Sequence, residues 1–354
     1  MNNKNTENKS YSIALVLPYF GKFPNYFRFY LASCRNNPTV DWLIYTDDMT
    51  TYDYPDNVHV KYVSFQDFRE KVQSIFPFPI ALQRPYKLCD YRPAYGEILA
   101  DDLKGYDFWG HCDCDMIFGG IRRFVTAERM EQTDVFHFGG PLTLYRNTPE
   151  INALYRTQKD AAWKEVFSQE DNFVFDEIGV WSYLGKHNLS IYSEPLYDNI
   201  VNGFDGFRLT KEKILPYMDV YSCRPEALRY LGMRRICYTY DFGRLDRVWL
   251  GRNGLETEEV LYAHFLKRKM TVNNAVESGE KSAFWVVPDE FIPPQTLEAD
   301  TLKRLSPPWL TKVNVLRYGK EIARSIRLGI GIRKPAEKAR ESLYKGNANE
   351  NPTD

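Results

Sequence analysis

Two aspartates set two residues apart, Asp113 and Asp115, stand at the end of the apolar run Tyr106-Asp-Phe-Trp-Gly-His-Cys112 and just ahead of Gly119 and Gly120. Strand side chains alternate between faces, so both carboxylates project to one side while Cys112 and Cys114 project to the other. Adjacent carboxylates repel unless a cation lies between them, and oxygen ligands suit a hard ion such as Mn²⁺ or Mg²⁺. Such a cation can bridge to a diphosphate. Acidic pairs are common in loops; the position between a buried strand and a Gly-Gly turn is what distinguishes this one. His111 with Cys112 and Cys114 is a rival, softer ligand set. Alternation separates the thiols from His111 and no second cysteine pair lies nearby, so buried packing is expected for them.

The elements that must position these residues read as alternating strands and helices. Ser12-Ile-Ala-Leu-Val-Leu17 is a continuous apolar run ended by Pro18 and Gly21, which suits a strand buried on both faces. Residues 25–34 have helical spacing, and Asp41-Trp-Leu-Ile-Tyr45 is a second strand, closing a βαβ start. A third strand is expected over 58–63 and a helix over 64–75, ended by Pro77 and Pro79. Residues 88–103 read as a helix apart from Pro93, leading into the strand that ends at Cys112. Shorter elements follow: strands at 135–138 and 140–145 and a helix near 148–159. This order predicts an α/β fold with a mostly parallel sheet, whose ligands gather at the carboxyl ends of the strands.

Composition bounds the function. The chain has 354 residues, 44% hydrophobic and 26% charged, with 46 Lys or Arg against 47 Asp or Glu. That is a soluble globular composition, not a fibrous or disordered one. A net charge of -1 offers no overall basic field for a nucleic acid, and no nucleic-acid partner is expected. No run approaches the roughly 20 apolar residues that span a bilayer, and the polar first ten residues do not resemble a secretory signal, so a cytoplasmic location is expected. Six cysteines without a CxxC pair read as reduced thiols.

With its acidic pair at the end of an α/β half, the chain resembles the GT-A fold glycosyltransferases. It looks closest to bacterial glycosyltransferase-like proteins that combine a strand start like Leu17-Pro-Tyr-Phe-Gly21, a segment like Lys87-Leu-Cys-Asp-Tyr-Arg-Pro-Ala-Tyr-Gly96 and an Asp-Cys-Asp motif. The resemblance covers about residues 12–270 and lies in the ordered combination of motifs. It implies a Rossmann-like nucleotide-sugar domain over 11–290, with a nucleotide-binding half at 11–120 and an acceptor half at 121–290; composition adds a disordered leader at 1–10 and a Pro-containing linker and basic helical tail at 291–354. Leu261-Tyr-Ala-His-Phe-Leu-Lys-Arg268 is similar to the segment that completes the metal site in several retaining members. The resemblance therefore implies His264 as third metal ligand beside Asp113 and Asp115, with Lys267 or Arg268 beside the diphosphate; the structural alternative is a helix-surface or core-edge histidine.

Further residues acquire expected roles in that frame. Lys87, Asp90 and Arg92 form a polar cluster in which Arg92 and Lys87 could clamp phosphate oxygens, or simply start a helix in solvent. Asp47 is a candidate for the ribose or base, or a turn residue; Tyr19 is a candidate to line the nucleotide pocket, or to pack. Asp176 and Glu177 are candidates to orient the acceptor or act as general base. Gly139-Gly140-Pro141 would let backbone approach the sugar, or is a turn. Between Lys312 and Lys345, ten Lys or Arg stand against three acids, and an amphipathic basic helix there could meet an anionic membrane at the inner face of the plasma membrane.

The resulting expectation is a Mn²⁺- or Mg²⁺-dependent hexosyltransferase taking a nucleotide diphosphate sugar, with UDP the expected nucleotide, to a glycan or lipid-linked acceptor in bacterial surface polysaccharide synthesis. Retention and inversion are both open. Two rivals remain: a catalytically silent nucleotide-sugar or glycan-binding module, and a metal-dependent nucleotidyltransferase or phosphohydrolase built on the same acidic pair.

Overall fold

The first apolar run forms β1 (Ile13–Tyr19), and its alternate residues enter different cores: Ile13, Leu15 and Leu17 on one face, Ala14 and Val16 on the other. A strand buried on both faces needs neighbours on both sides, and β1 has them. It pairs in parallel with β2 (Asp41–Thr46) and with β4 (Phe108–Cys112), while β3 (Val58–Tyr62) extends the parallel set beyond β2. Next come β5 (Met116–Phe118), β6 (Val135–His137), β7 (Leu142–Arg146) and β8 (Ile191–Tyr192). The central sheet has the order β3-β2-β1-β4-β7-β6-β8, and only β7 runs against the rest. The fold is α/β with a mostly parallel central sheet.

The computed structural model describes residues 10–138, 140–158, 162–179, 184, 188–193, 198–203, 206–209, 236–265, 270–276, 283–287, 290–305, 323 and 326. The sheet is flanked by α1 (Phe27–Arg35) and α2 (Phe65–Ile75). Ser64 caps α2 by accepting the Asp67 N–H at 3.1 Å, which satisfies one of the donors a helix start leaves open. Residues 88–103 are not one helix. They break into short turns, Leu88–Tyr91, Arg92–Ala94 and Tyr95–Ile98, because Pro93 supplies no N–H and the polar side chains are drawn into tertiary contacts described below. The helix expected near 148–159 is likewise two turns, Pro149–Asn152 and Leu154–Thr157.

Two further sheets complete the described chain. β9 (Asp198–Gly203), β10 (Gly206–Leu209), β11 (Cys237–Asp241), β12 (Arg244–Gly251), β13 (Gly254–Glu259), β14 (Tyr262–His264), β15 (Thr271–Val272), β16 (Ala283–Val287) and β17 (Glu290–Ile292) follow in order. One sheet runs β10-β9-β14-β5 and brings β14 against the acidic segment; the other runs β13-β12-β11-β16-β17-β15. A third core, with Tyr26 and Phe29 from the α1 end and Tyr238, Phe284 and Phe291 from the last sheet, joins this sheet to the first. No helix among the described residues is long and apolar enough to cross a membrane. The basic tail expected at 312–345 lies outside the described residues apart from Ala323 and Ile326.

The strand that carries the acidic pair tolerates no added bulk at its centre. A Cβ on Gly110 would stand 2.3 Å from the Thr143 carbonyl oxygen and 2.6 Å from Leu144 Cδ2, across the β4–β7 pairing. Gly110→Ala is therefore expected to destabilise the fold by about 1–3 kcal/mol, the usual scale of overpacking. Urea unfolding checks this, and an unchanged midpoint would contradict the close approach of β4 and β7.

Candidate functional site

Asp113 and Asp115 leave the carboxyl end of β4, where the chain passes from the central sheet into the sheet containing β5 and β14. The Asp113 N–H donates to Pro141 O at 3.1 Å, fixing the start of the segment. Its far end is fixed by β14, whose His264 lies opposite Met116 and whose neighbour Phe265 donates its N–H to Asp115 O at 2.8 Å. Gly119 permits this approach, since a Cβ there would meet Val260 O at 2.4 Å. Residues nearly 150 positions apart in sequence thus become neighbours.

Three side chains converge. His264 Nε2 lies 3.3 Å from Asp113 Oδ2 and 3.3 Å from Asp115 Oδ1, and one ligand atom from each residue falls within a 4.8 Å cluster. Adjacent ligands of a hexacoordinate ion with bonds of about 2.1 Å stand roughly 3 Å apart, so this spacing suits a divalent cation. Two carboxylates and one imidazole form a donor set suited to Mn²⁺. Asp115 and His264 are buried and Asp113 is half-buried, so the cluster opens on the Asp113 side.

Cys112 and Cys114 point away. Cys112 packs against Tyr30, whose hydroxyl lies 3.3 Å from Sγ, and burial pushes its thiol up to about 12, leaving it neutral. His111 Nε2 faces Gly140 O at 3.0 Å, and burial, with the nearby Arg92 charge, depresses its pKa. These three are not a soft metal site.

Arg92 connects Asp113 to a second acid. One guanidinium nitrogen donates to Asp113 Oδ1, while Nη1 donates to Asp176 Oδ2 at 2.7 Å and to Gly140 O at 3.1 Å. This leaves Asp113 Oδ2 turned toward His264. Asp176 is only 2% exposed; burial raises its pKa, the Arg92 charge opposes the rise, and Glu177, Asp90 and Asp113 add to it. The Asp176 carboxylate is thus enclosed and committed to Arg92. Glu177, its neighbour, is half-buried and lies against Gly140, where a Cβ would stand 2.1 Å from Glu177 Cγ.

Lys87 and Asp90 face inward, into the scaffold. Lys87 Nζ donates to Asp90 Oδ2 at 2.9 Å, Val166 O at 2.8 Å and Asp171 O at 2.6 Å, which occupies the three donors of an ammonium. Asp90 also accepts the N–H groups of Phe173, at 2.9 Å, and Phe175, at 2.8 Å. Between them Val174 adopts φ +55°, a left-handed conformation that costs a β-branched residue on the order of 1–3 kcal/mol. The strained residue immediately precedes the π-helical turn Phe175–Gly179, which carries Asp176 and Glu177.

Tyr19 and Asp47 lie at the carboxyl ends of β1 and β2, on the edge of the sheet that carries Asp113. Tyr19 stacks on Phe23 with ring centroids 4.7 Å apart; burial, then the nearness of Cys114 and Asp115, raises its pKa, so its hydroxyl stays protonated. Asp47 is exposed and accepts the Gly21 N–H at 2.6 Å, a turn for which Gly21 takes φ +99°. Asp48 is the buried partner that sequence reasoning passed over: it accepts from Lys22 Nζ at 2.7 Å and from Phe23 N–H at 3.0 Å. Lys267, Arg268 and Gly139 lie outside the described residues.

Burial alone would lower the pKa of His264. The charge and hydrogen bond of Asp115, with Asp113 and Glu177 beyond, outweigh it and raise the pKa above the ordinary value of 6.5. The attraction thus stabilises the metal-free fold fully below the unfolded pKa and is lost as pH rises through the folded one. A cation must displace that proton, so its apparent affinity runs the other way. Mn²⁺ titration from about pH 6 to about pH 8 is expected to show tightening of up to about tenfold per pH unit below the folded pKa. Affinity independent of pH over that range would contradict ligation by His264.

No curated protein matches the chain in sequence. Among solved structures, it is similar to a crystal structure of the galactosyltransferase LgtC in complex with donor and acceptor sugar analogues, at 11% identity and a TM-score of 0.28, covering 46% of this chain and 69% of that one. It is also similar to the apo form of mouse xyloside xylosyltransferase 1, at 9% identity and a TM-score of 0.35, covering 60% of this chain and 92% of that one. Residues 15–295, most of the chain, match a single family, and the protein belongs to that family of unknown function, DUF6625.

Proposed function

We propose that this protein is a metal-dependent glycosyltransferase of the GT-A type, acting on a nucleotide diphosphate sugar and an acceptor hydroxyl. The observation that carries the reading is the convergence of Asp113, Asp115 and His264 at the carboxyl end of a central parallel strand. Open α/β sheets bind their ligands at that edge. Tyr19 and Asp47, from the adjoining strand ends, supply an aromatic face and a carboxylate that suit a nucleoside. UDP is the nucleotide we assign to the donor, and a glycan or lipid-linked sugar of bacterial surface polysaccharide is the acceptor class.

The bound cation would supply positive charge to the departing diphosphate, the main electrostatic demand of such a transfer. Asp113, Asp115 and His264 would hold it. Arg92 holds one Asp113 oxygen and leaves the other, turned toward His264, as the one that would hold the cation. Glu177, half-buried beside Gly140, is the carboxylate we assign to the acceptor side, with Asp176 held beneath it by Arg92. Lys267 is the added cation proposed beside the diphosphate.

The test is a panel of nucleotide sugars with Mn²⁺ or with chelator, read by thermal shift and by nucleotide release. The preferred donor is expected to raise the Tm only with metal, by about 2–4 °C for each kcal/mol of binding, and to be hydrolysed slowly. Asp115→Ala is expected to remove both effects. Stabilisation that survives this substitution would take the acidic pair out of the site, and binding without nucleotide release in the presence of any acceptor would mark a silent binding module instead.

A further inference from the structure

Asp90 sits in the segment that resembles the donor site, yet its carboxylate faces neither solvent nor the acidic cluster. It is fully buried and gathers three donors: Lys87 Nζ and the N–H groups on either side of Val174. Through the N–H groups of residues 173 and 175 a single carboxylate holds the 172–173 and 174–175 peptide planes, the second of which adjoins Val174, and it is this bracket that a left-handed valine requires. Asn172 adds a third restraint by accepting the Val174 N–H at 3.1 Å.

The bracket ends where Asp176 begins. Asp176 is bonded to Arg92, Arg92 to Asp113, and Asp113 to His264 through its other oxygen. Asp90 and Arg92 belong to one short stretch of turns, so the stretch holds the acidic loop twice: through backbone at residues 173 and 175, and through the side chain of Asp176. Displacing the loop would pull Arg92 and change which Asp113 oxygen is presented to the cluster.

We propose that Asp90 is a positioning residue that sets cation affinity at Asp113, Asp115 and His264 from a distance, by holding Val174 in its left-handed conformation. The proposal rests on the metal-dependent reading above and adds a determinant that touches neither metal nor donor. It also gives the Lys87–Asp90 ion pair a purpose: Lys87 anchors the carboxylate to the helical segment Ala162–Ser168 through Val166 O.

Mn²⁺ titration of the full chain by electron paramagnetic resonance tests it, on the wild type and on Asp90→Asn, Asp90→Glu, Asp90→Asn with Val174→Gly, and Asp115→Ala. Residues that orient metal ligands typically alter affinity about 10- to 100-fold. Asp90→Asn is expected to weaken Mn²⁺ by that range. Asp90→Glu, which keeps the charge but moves the oxygens and protects the test should the amide fail to fold, is expected to weaken it about tenfold. Glycine takes positive φ without steric cost, so Val174→Gly in the Asp90→Asn background should recover much of the lost affinity, which a general loss of stability would not. Wild-type affinity in both Asp90 variants, or no recovery with Val174→Gly, overturns the proposal. Undiminished binding by Asp115→Ala overturns the metal site itself, a separate failure.

Discussion

Carboxylates crowded together out of water must find positive charge, and this demand organises the molecule around residues 113 and 115. Asp113, Asp115, Asp176 and Glu177 share a small volume with Arg92 and His264. Taking ions out of water carries a penalty that only close counter-charge and hydrogen bonds can offset. Arg92 meets it for Asp113 and Asp176 together, because a planar guanidinium offers parallel donors to two acids at once. His264 meets part of it for Asp115. Burial raises the pKa of Asp176, with the neighbouring acids adding to the rise, whereas at His264 the acids outweigh burial and raise the imidazole pKa.

The fold supplies the convergence by bringing distant pieces to one sheet edge. β4 delivers the two aspartates because it is buried on both faces and must end abruptly at the acidic residues. β14 delivers His264 because β5, immediately after those aspartates, has an open edge that it fills. The Arg92 stretch delivers the guanidinium by refusing to be a helix: Pro93 interrupts it, and the buried Lys87 and Asp90 fix its turns. Each of the three deliveries places polar groups at the end of an apolar element, where backbone and side-chain donors can still be satisfied.

How legible this was in the sequence differs from residue to residue. The parallel strands up to Cys112 declare themselves by continuous apolar runs, and alternation along a strand suffices to send Asp113 and Asp115 one way and Cys112 and Cys114 the other. His264 could be picked only through resemblance, since nothing local says that β14 will lie against β5. Arg92 and Asp176 were both visible as polar residues of note, but their pairing was not; it depends on a loop 84 positions away folding back over the turns. The broken helix at 88–103 was misread because its apolar periodicity is real, serving packing around Tyr91, Tyr95 and Leu99 without helical continuity. Asp48 was passed over because an aspartate beside a strand end looks the same in sequence whether it is exposed, like Asp47, or buried under Lys22.

Val174 shows why the last level of detail escapes sequence reasoning. Its type favours a strand, its immediate neighbours are apolar, and neither glycine nor asparagine occupies the left-handed position itself. On either side of it, a carboxylate 83 and 85 positions away accepts the N–H groups of Phe173 and Phe175. Local preference is thus overruled at the point where the chain sets the direction of Asp176 and Glu177. Strain of this sort persists only when the surroundings over-determine it, and here the surroundings are Asn172 and the Lys87–Asp90 pair, in the same stretch of turns as the Arg92 that balances the acidic cluster. Electrostatic balance and backbone geometry are therefore one constraint in this protein: relaxing the loop would unseat Arg92, and unseating Arg92 would leave buried acids without the charge that keeps the loop in place.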